Sequence, residues 1–169
     1  MKKFIPKMYQ KSIYTINYPK LKEKGIKLLI FDLDNTIGSV HEDIMNKRTA
    51  DFLNKLASDF TIVIASNSKE ERVKKFCSPV NFYYVYLSLK PTSKSFMKIK
   101  KKYHIAYQEM AMIGDQIITD IFGANCLNIY TILVDPINND LKITSLNRKL
   151  EEIINKKNKL IRGNYYEEK

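Results

Sequence analysis

An α/β fold built on one mostly parallel sheet with helices on both faces is predicted by three observations. Short apolar runs, several rich in β-branched residues, alternate along the chain with stretches of helical periodicity. The runs are apolar throughout instead of at every second residue, the pattern of strands buried on both faces. The stretch between successive runs is long enough for the crossover helix that parallel strands require.

After a basic, aromatic-dotted lead (1–27), KLLIF (27–31) is short, continuous and ended by polar residues, and reads as the first buried strand. NKRTADFLNKLA (46–57) sets Ala50, Leu53, Leu56 and Ala57 at helical spacing. FTIVIAS (60–66) is a second strand. SKEERVKKF (68–76) follows as a helix with Ser68 as its cap. FYYVYLSL (82–89) is an aromatic strand, its rings divided between core and a lid or partner surface. KPTSKSFMKIKKKY (90–103) sets a proline ahead of a helix with Phe96, Ile99 and Tyr103 on one face. EMAMIGD (109–115) is the next strand, DIFGANC (120–126) a short helix and NIYTILV (128–134) the last strand. SLNRKLEEIINKKNKLIRG (145–163) reads as a basic amphipathic helix, and NYYEEK beyond it as a frayed end.

The 169 residues, 44% of them apolar, suffice for one sizeable core. The expected organisation is a lead over 1–27 packed on or near the core, a core domain over 28–144 and a basic helix with frayed tail over 145–169. No internal repeat or Gly/Ser linker divides it. No apolar run has the length of a membrane span, and the opening MKKFIPKMYQ lacks the uninterrupted apolar stretch of a signal peptide. The expected location is cytoplasmic, with peripheral contact at the inner membrane face as an extension. Cys77 and Cys126 stand singly and are expected to be free thiols. A net charge of +11 raises the local concentration of phosphates, whether on nucleic acid, anionic lipid or a small substrate, and does not choose among them.

In open parallel sheets, ligands bind beyond the carboxyl ends of the strands, so the residues leaving each strand are the candidate site. Asp32, Asp34 and Thr36 follow the first strand; Ser66 and Asn67 the second; Lys90 and Pro91 the third; Gly114, Asp115, Thr119 and Asp120 the fourth. Carboxylates converging on one rim repel unless a cation lies between them, and an oxygen-rich set of this kind suits Mg²⁺. One carboxylate can then attack an electrophile while a second moves a proton. A lysine beside them offsets the charge of an arriving phosphoryl group.

DLDNT (32–36), the strand-ending Ser66, the Lys90-Pro91 pair and GDQIITD (114–120), in that order, resemble the four motifs of the haloacid dehalogenase (HAD) superfamily of phosphatases. The lead KKFIPKMYQKSIYTI (2–16), LKEKGIK (21–27), YTILVDPI (130–137) and TSLNRKLE (144–151) extend the likeness to its small IIIA-type branch, over roughly residues 1–155. Relatives in that branch remove the terminal phosphate of phosphatidylglycerophosphate. The resemblance implies a Rossmann-like, HAD-like core and an aspartyl-phosphate mechanism. Asp32 is then the nucleophile and Asp34 the acid/base. Ser66 holds a phosphoryl oxygen, and Lys90 steadies Asp32 and the phosphate. Mg²⁺ is held by the Asp32 carboxylate, the Asp34 backbone carbonyl and Asp115, with Asp120 in support. Thr36, Asn67 and Gly114 shape the surroundings. Asp34 argues against the dehalogenases themselves, which act without it or the metal. GANCLNIY (123–130) departs from the branch by lacking its arginine and second glycine.

Only about 30 residues separate Asp34 from Ser66 and about 24 separate Ser66 from Lys90, too few for a large cap domain over the site. An open, electropositive rim suits a phosphate presented on something large. The resemblance makes phosphatidylglycerophosphate the favoured substrate. The alternatives are a soluble ester (a nucleotide, sugar phosphate or phosphoprotein) and a non-catalytic nucleic-acid or ribosome-associated binding protein. The carboxylate cluster argues against the last, and no nucleic-acid partner is expected. In the lead, Phe4, Ile5, Met8, Tyr9, Ile13, Tyr14, Ile16 and Tyr18 interleave with lysines, which suits either an anionic membrane surface or packing on the domain. His41 lies in the loop after the first motif and is expected to be solvated.

Overall fold

Continuous apolar runs form strands here because each can bury alternate side chains on opposite faces of a sheet. The computed structural model describes residues 2–138, 153–154, 156 and 160–165. Its sheet has six strands: β1 (Met8–Gln10), β2 (Leu28–Phe31), β3 (Thr61–Ala65), β4 (Tyr83–Val85), β5 (Met110–Gly114) and β6 (Tyr130–Val134). All five pairings are parallel, in the order β1-β6-β5-β2-β3-β4. The helices are α1 (Tyr18–Glu23), α2 (Lys47–Leu56), α3 (Glu70–Phe76), α4 (Lys94–Tyr103) and α5 (Gly123–Cys126).

The period-two alternation is visible strand by strand. Leu29, Phe31, Ile62, Ile64, Ala111 and Ile113 face one core with Leu53 of α2 and Val73 and Phe76 of α3. Leu28, Ile30, Val63, Ala65, Met110 and Met112 face the other, with Phe96 and Ile99 of α4 and Ala124 of α5. The chain moves from β2 outward through β3 to β4, then crosses back to β5 on the other side of β2 and outward again to β6. Strand order therefore reverses between β2 and β5, and a crevice opens at their carboxyl ends.

The lead contributes more than a covering. Met8–Gln10 add β1 beside β6, and Met8, Ile13, Ile16, Tyr18 and Leu21 are buried in the core with β2 and β5 residues. A three-residue edge strand is too short to show a strand period in sequence. Several apolar side chains of the lead are thus spent inside the molecule. Asn164 and Tyr165, expected to fray, reach the same strand: Tyr9 N–H donates to Asn164 O (3.1 Å) and Met8 bridges Tyr165. Most of the helix expected over 145–163 lies outside the described residues; Ile154 is buried with Ile117, Ile121 and Leu133.

Three other expectations are corrected. The aromatic strand ends at Val85, because Leu87 and Leu89 take left-handed backbone angles (φ 42° and 55°) that no strand accommodates. Helix α3 begins at Glu70 with Lys69 at its cap position, so Ser68 is not its cap. The helix expected over 120–126 starts earlier, as a π-helical turn (Ile117–Phe122) leading into α5. Both cysteines are free: Cys126 is exposed, and burial pushes the Cys77 thiol up to about 12. Among the described residues no helix is long and apolar enough to cross a membrane.

Candidate active site

The two central strands deliver two carboxylates to the crevice. Asp32 N–H donates to Ile113 O (2.9 Å), which continues the β2–β5 ladder one residue past β2, and Asp115 directly follows β5. After Asp32 the chain folds tightly on itself. The backbone N–H groups of Thr36, Ile37 and Gly38 all reach Leu33 O (3.2–3.3 Å), and Asn35 takes a left-handed φ of 62°, which asparagine tolerates. The turn points Thr36 Oγ1 at both Asp32 Oδ2 (3.4 Å) and Asp115 Oδ1 (3.3 Å).

Asp120 arrives from the π-helical turn, a distortion common at functional sites. Its Oδ2 accepts from Gln116 N–H (3.1 Å), and its carboxylate lies flat against Gly114. A Cβ on Gly114 would sit 2.3 Å from that Oδ2, so only glycine admits Asp120 here. Oxygen atoms of Asp32, Asp115 and Asp120, all buried, lie within 4.8 Å of one another.

Lys90 supplies the countercharge. Its Nζ donates to Asp32 Oδ1 (2.5 Å) and Asp120 Oδ1 (2.8 Å), with only 2% of its side chain exposed. Asn67 holds the backbone that carries it: Asn67 Oδ1 accepts from Lys90 N–H (2.9 Å) and Ser88 Oγ (2.8 Å), while Nδ2 donates to Lys90 O (3.2 Å). Gly123 at the start of α5 packs against the next residue; a Cβ there would lie 2.5 Å from Pro91 O. Ser66, 1% exposed, closes β3; its Oγ accepts from Ser68 N–H (3.1 Å), which leaves the hydroxyl proton available to another acceptor.

One lysine does not balance three buried carboxylates. Burial pushes Asp32 up to about 7, with Asp120 and Asp34 adding to the rise and Lys90 opposing it. Asp115 is raised well above its usual range by burial and by the charges of Asp32 and Asp120. Burial disfavours the Lys90 ammonium, but Asp120 and Asp32 together outweigh it and hold its pKa above the ordinary lysine value. Asp115 Oδ2 is buried without a hydrogen-bond partner. A buried, partnerless carboxylate oxygen within a shortage of positive charge is what a hard divalent cation satisfies.

Asp34 stands apart from the trio. Its carboxylate accepts from Arg72 Nη2 (2.5 Å) and Ser68 Oγ (2.9 Å). Arg72 Nη1 also donates to Glu42 O (3.1 Å), which ties the arginine to the loop leading to α2. Sequence reasoning missed Arg72, which sits 38 residues from Asp34 in a charged helix, and misread Ser68. The one local signal was an arginine in the first turns of the helix after the second motif. His41 is exposed, and its backbone N–H donates to Ser39 Oγ. The link from β2 to α2 runs only from Asp32 to Asn46, and among the described residues no large cap covers the crevice.

The chain is 34% identical over 153 residues to a probable phosphatase, YqeG, of Bacillus subtilis (strain 168), covering 89% of each. The chain belongs to the haloacid dehalogenase superfamily of phosphatases. Residues 89–136 of this phosphatase match a HAD-hydrolase-like family model, and residues 1–76 match the mitochondrial PGP phosphatase model. It is 22% identical to the chloroplastic/mitochondrial phosphatidylglycerophosphate phosphatase 1 of Arabidopsis thaliana, over 79% of this chain and 41% of that one. Among solved structures, a HAD-family enzyme of Bacteroides thetaiotaomicron, in complex with magnesium and inorganic phosphate, shares the fold. Its TM-score is 0.56 at 16% identity, covering 71% of this chain and all of that one. A putative subfamily IIIA hydrolase of Legionella pneumophila does likewise, with TM-score 0.51 and 18% identity over 82% and 88%.

Proposed function

We propose that this phosphatase is a Mg²⁺-dependent phosphomonoesterase that converts phosphatidylglycerophosphate to phosphatidylglycerol. The chemistry is carried by one observation: a buried Asp32 carboxylate gripped by Lys90 within reach of Asp115 and Asp120. The lipid substrate is supported by the match of residues 1–76 to the mitochondrial PGP phosphatase model and by the +11 net charge of the chain around an open crevice.

Asp32 Oδ attacks phosphorus in line with the leaving alkoxide, forming an aspartyl-phosphate as the P–O bond to the glycerol breaks. Lys90 stays on the shared rim of Asp32 and Asp120 and offsets the charge brought by the phosphoryl group. Ser66 Oγ–H donates to a phosphoryl oxygen. Asp34, entering the step protonated and held in place by Arg72 and Ser68, protonates the leaving oxygen and then takes a proton from the water that hydrolyses the intermediate. Asp32, Asp115 and the Asp34 carbonyl would hold the metal, with Asp120 beside them. Bound there, Mg²⁺ would offset the charge of the carboxylates and supply Lewis-acid polarisation of the phosphoryl group.

The test is phosphate release by the purified protein, with Mg²⁺ and with chelator, from phosphatidylglycerophosphate in mixed micelles and from a panel of soluble esters. The expected result is Mg²⁺-dependent release from the lipid, lost in Asp32→Asn. Release only from a soluble ester keeps the chemistry and rejects the lipid. Wild-type-like release by Asp32→Asn rejects the nucleophile.

A further inference from the structure

The segment that carries Lys90 to the site alternates in an unusual way. Ser88 and Lys90 point inward, 2% and 6% exposed, while Leu87 and Leu89 point outward, 52% and 51% exposed. Its backbone is held on both sides: Leu87 N–H on Ser68 O, Ser88 N–H on Ser66 O, Lys90 N–H on Asn67 Oδ1 and Thr92 N–H on Leu89 O. Held so, residues 87 and 89 both adopt left-handed angles, a conformation that disfavours a branched apolar residue and suits glycine or asparagine. Delivery of Ser88 and Lys90 alone is thus better served by asparagine at both positions. Two leucines that strain the backbone and face water do nothing for folding that asparagine would not do better, which points to a role outside the fold.

Their surroundings indicate what they meet. Tyr86, exposed and next to Leu87, donates its hydroxyl to Glu70 with Lys98 nearby, and Lys94 and Lys98, both exposed, stand on the early turns of α4. Apolar side chains projecting from a rigid loop, flanked by lysines on a chain of charge +11, complement an interface of hydrocarbon beneath anionic headgroups. Ile137, 52% exposed, stands on the opposite flank of the crevice, its N–H on Asn35 O beside Asp34. A surface seated on both flanks faces the open crevice. The lead does not supply such anchors through Met8, Ile13, Ile16 or Tyr18, which are buried.

We propose that Leu87 and Leu89 form a lipid-inserting rim that seats the mouth of the active site on an anionic bilayer. The proposal rests on the lipid reading of the site and adds the surface through which the enzyme reaches its substrate. It is tested with the full chain and the double variant Leu87→Asn/Leu89→Asn, which keeps the left-handed backbone favourable and removes only the apolar side chains. Co-flotation with vesicles of phosphatidylcholine, alone or mixed with phosphatidylglycerol, reads binding. Melting temperature and hydrolysis of p-nitrophenyl phosphate read the integrity of fold and site. The parent is expected to bind the mixed vesicles. The double variant is expected to bind them at least ~10-fold more weakly, melt no lower than the parent and hydrolyse the soluble ester within about twofold of it. Equal vesicle binding by parent and variant overturns the rim, as does a parent that binds neither vesicle. Phosphate release from phosphatidylglycerophosphate in detergent micelles separates the two readings: its presence alongside either failure leaves the lipid substrate standing and rejects the rim alone.

Discussion

Replacing Lys90 by methionine removes the one cation that the described residues place inside the carboxylate cluster while keeping the length and most of the volume of the side chain. In the native protein that ammonium touches Asp32 at 2.5 Å and Asp120 at 2.8 Å, and all three side chains are buried. Deleting one partner of a buried ion pair leaves the other charges desolvated and uncompensated, at a cost of about 3–5 kcal/mol. For a chain of this size each kcal/mol shifts the melting temperature by ~2–4 °C. Lys90→Met in chelator is therefore expected to melt roughly 6–20 °C below the parent. Part of that loss should return on acidification, which neutralises the aspartates, and part on adding Mg²⁺, which replaces the missing charge. Lys47→Met is the control, because the Lys47–Asp51 pair is largely exposed and is expected to contribute little. Scanning calorimetry at neutral pH with chelator reads both variants. A shift for Lys90→Met no larger than that for Lys47→Met refutes the claim that the lysine is the electrostatic keystone of the site.

Gly114→Ala drives a methyl group into the Asp120 carboxylate and displaces it from Lys90; phosphate release should fall by ~10²-fold or more, since displacements of about 1 Å cost that much, and full activity rejects the close approach as a requirement. Without metal, the Asp32 carboxyl is raised from 3.8 to about 7, so the native state holds a proton that the unfolded chain has released. Stability from this group is present at low pH and is lost as pH rises from about 4 to about 7. Added Mg²⁺ must therefore raise the melting temperature more at pH 8 than at pH 5, and equal shifts would contradict the assigned environment of Asp32. Arg72→Met frees Asp34 from its clamp and is expected to lower kcat by about 10–100-fold with little change in KM. Arg72→Lys should not restore it, because an ammonium lacks the fork that reaches Asp34 and Glu42 O together. An unchanged kcat in Arg72→Met removes Arg72 from the positioning of Asp34.

The strands after which the motifs fall were legible because each is a continuous apolar run, and the parallel sheet followed from their spacing. Asp32, Asp115, Asp120 and Lys90 do meet at one rim, as the positions after successive strands implied. What was not legible depended on backbone detail or distant pairing. β1 is three residues long and exists through its pairing with β6. Ser68 looks like a cap in sequence, yet its hydroxyl goes to Asp34, because the chain at the end of β3 turns before α3 begins.

The order of residues along this chain determines the fold class, the sheet and the set of groups able to transfer phosphate, because hydrophobic periodicity and the exits of buried strands are local properties. Only the tertiary structure decides how those groups are charged and aimed. The electric field at Asp32 is a sum over Lys90, Asp115 and Asp120, which lie 58, 83 and 88 residues away from it along the chain. The grip of Arg72 on Asp34 and the outward pose of Leu87 and Leu89 likewise arise from hydrogen bonds that close only when β3, β4 and the loop after β2 have packed. Periodicity records what a residue is; desolvation and pairing depend on what the fold has placed beside it.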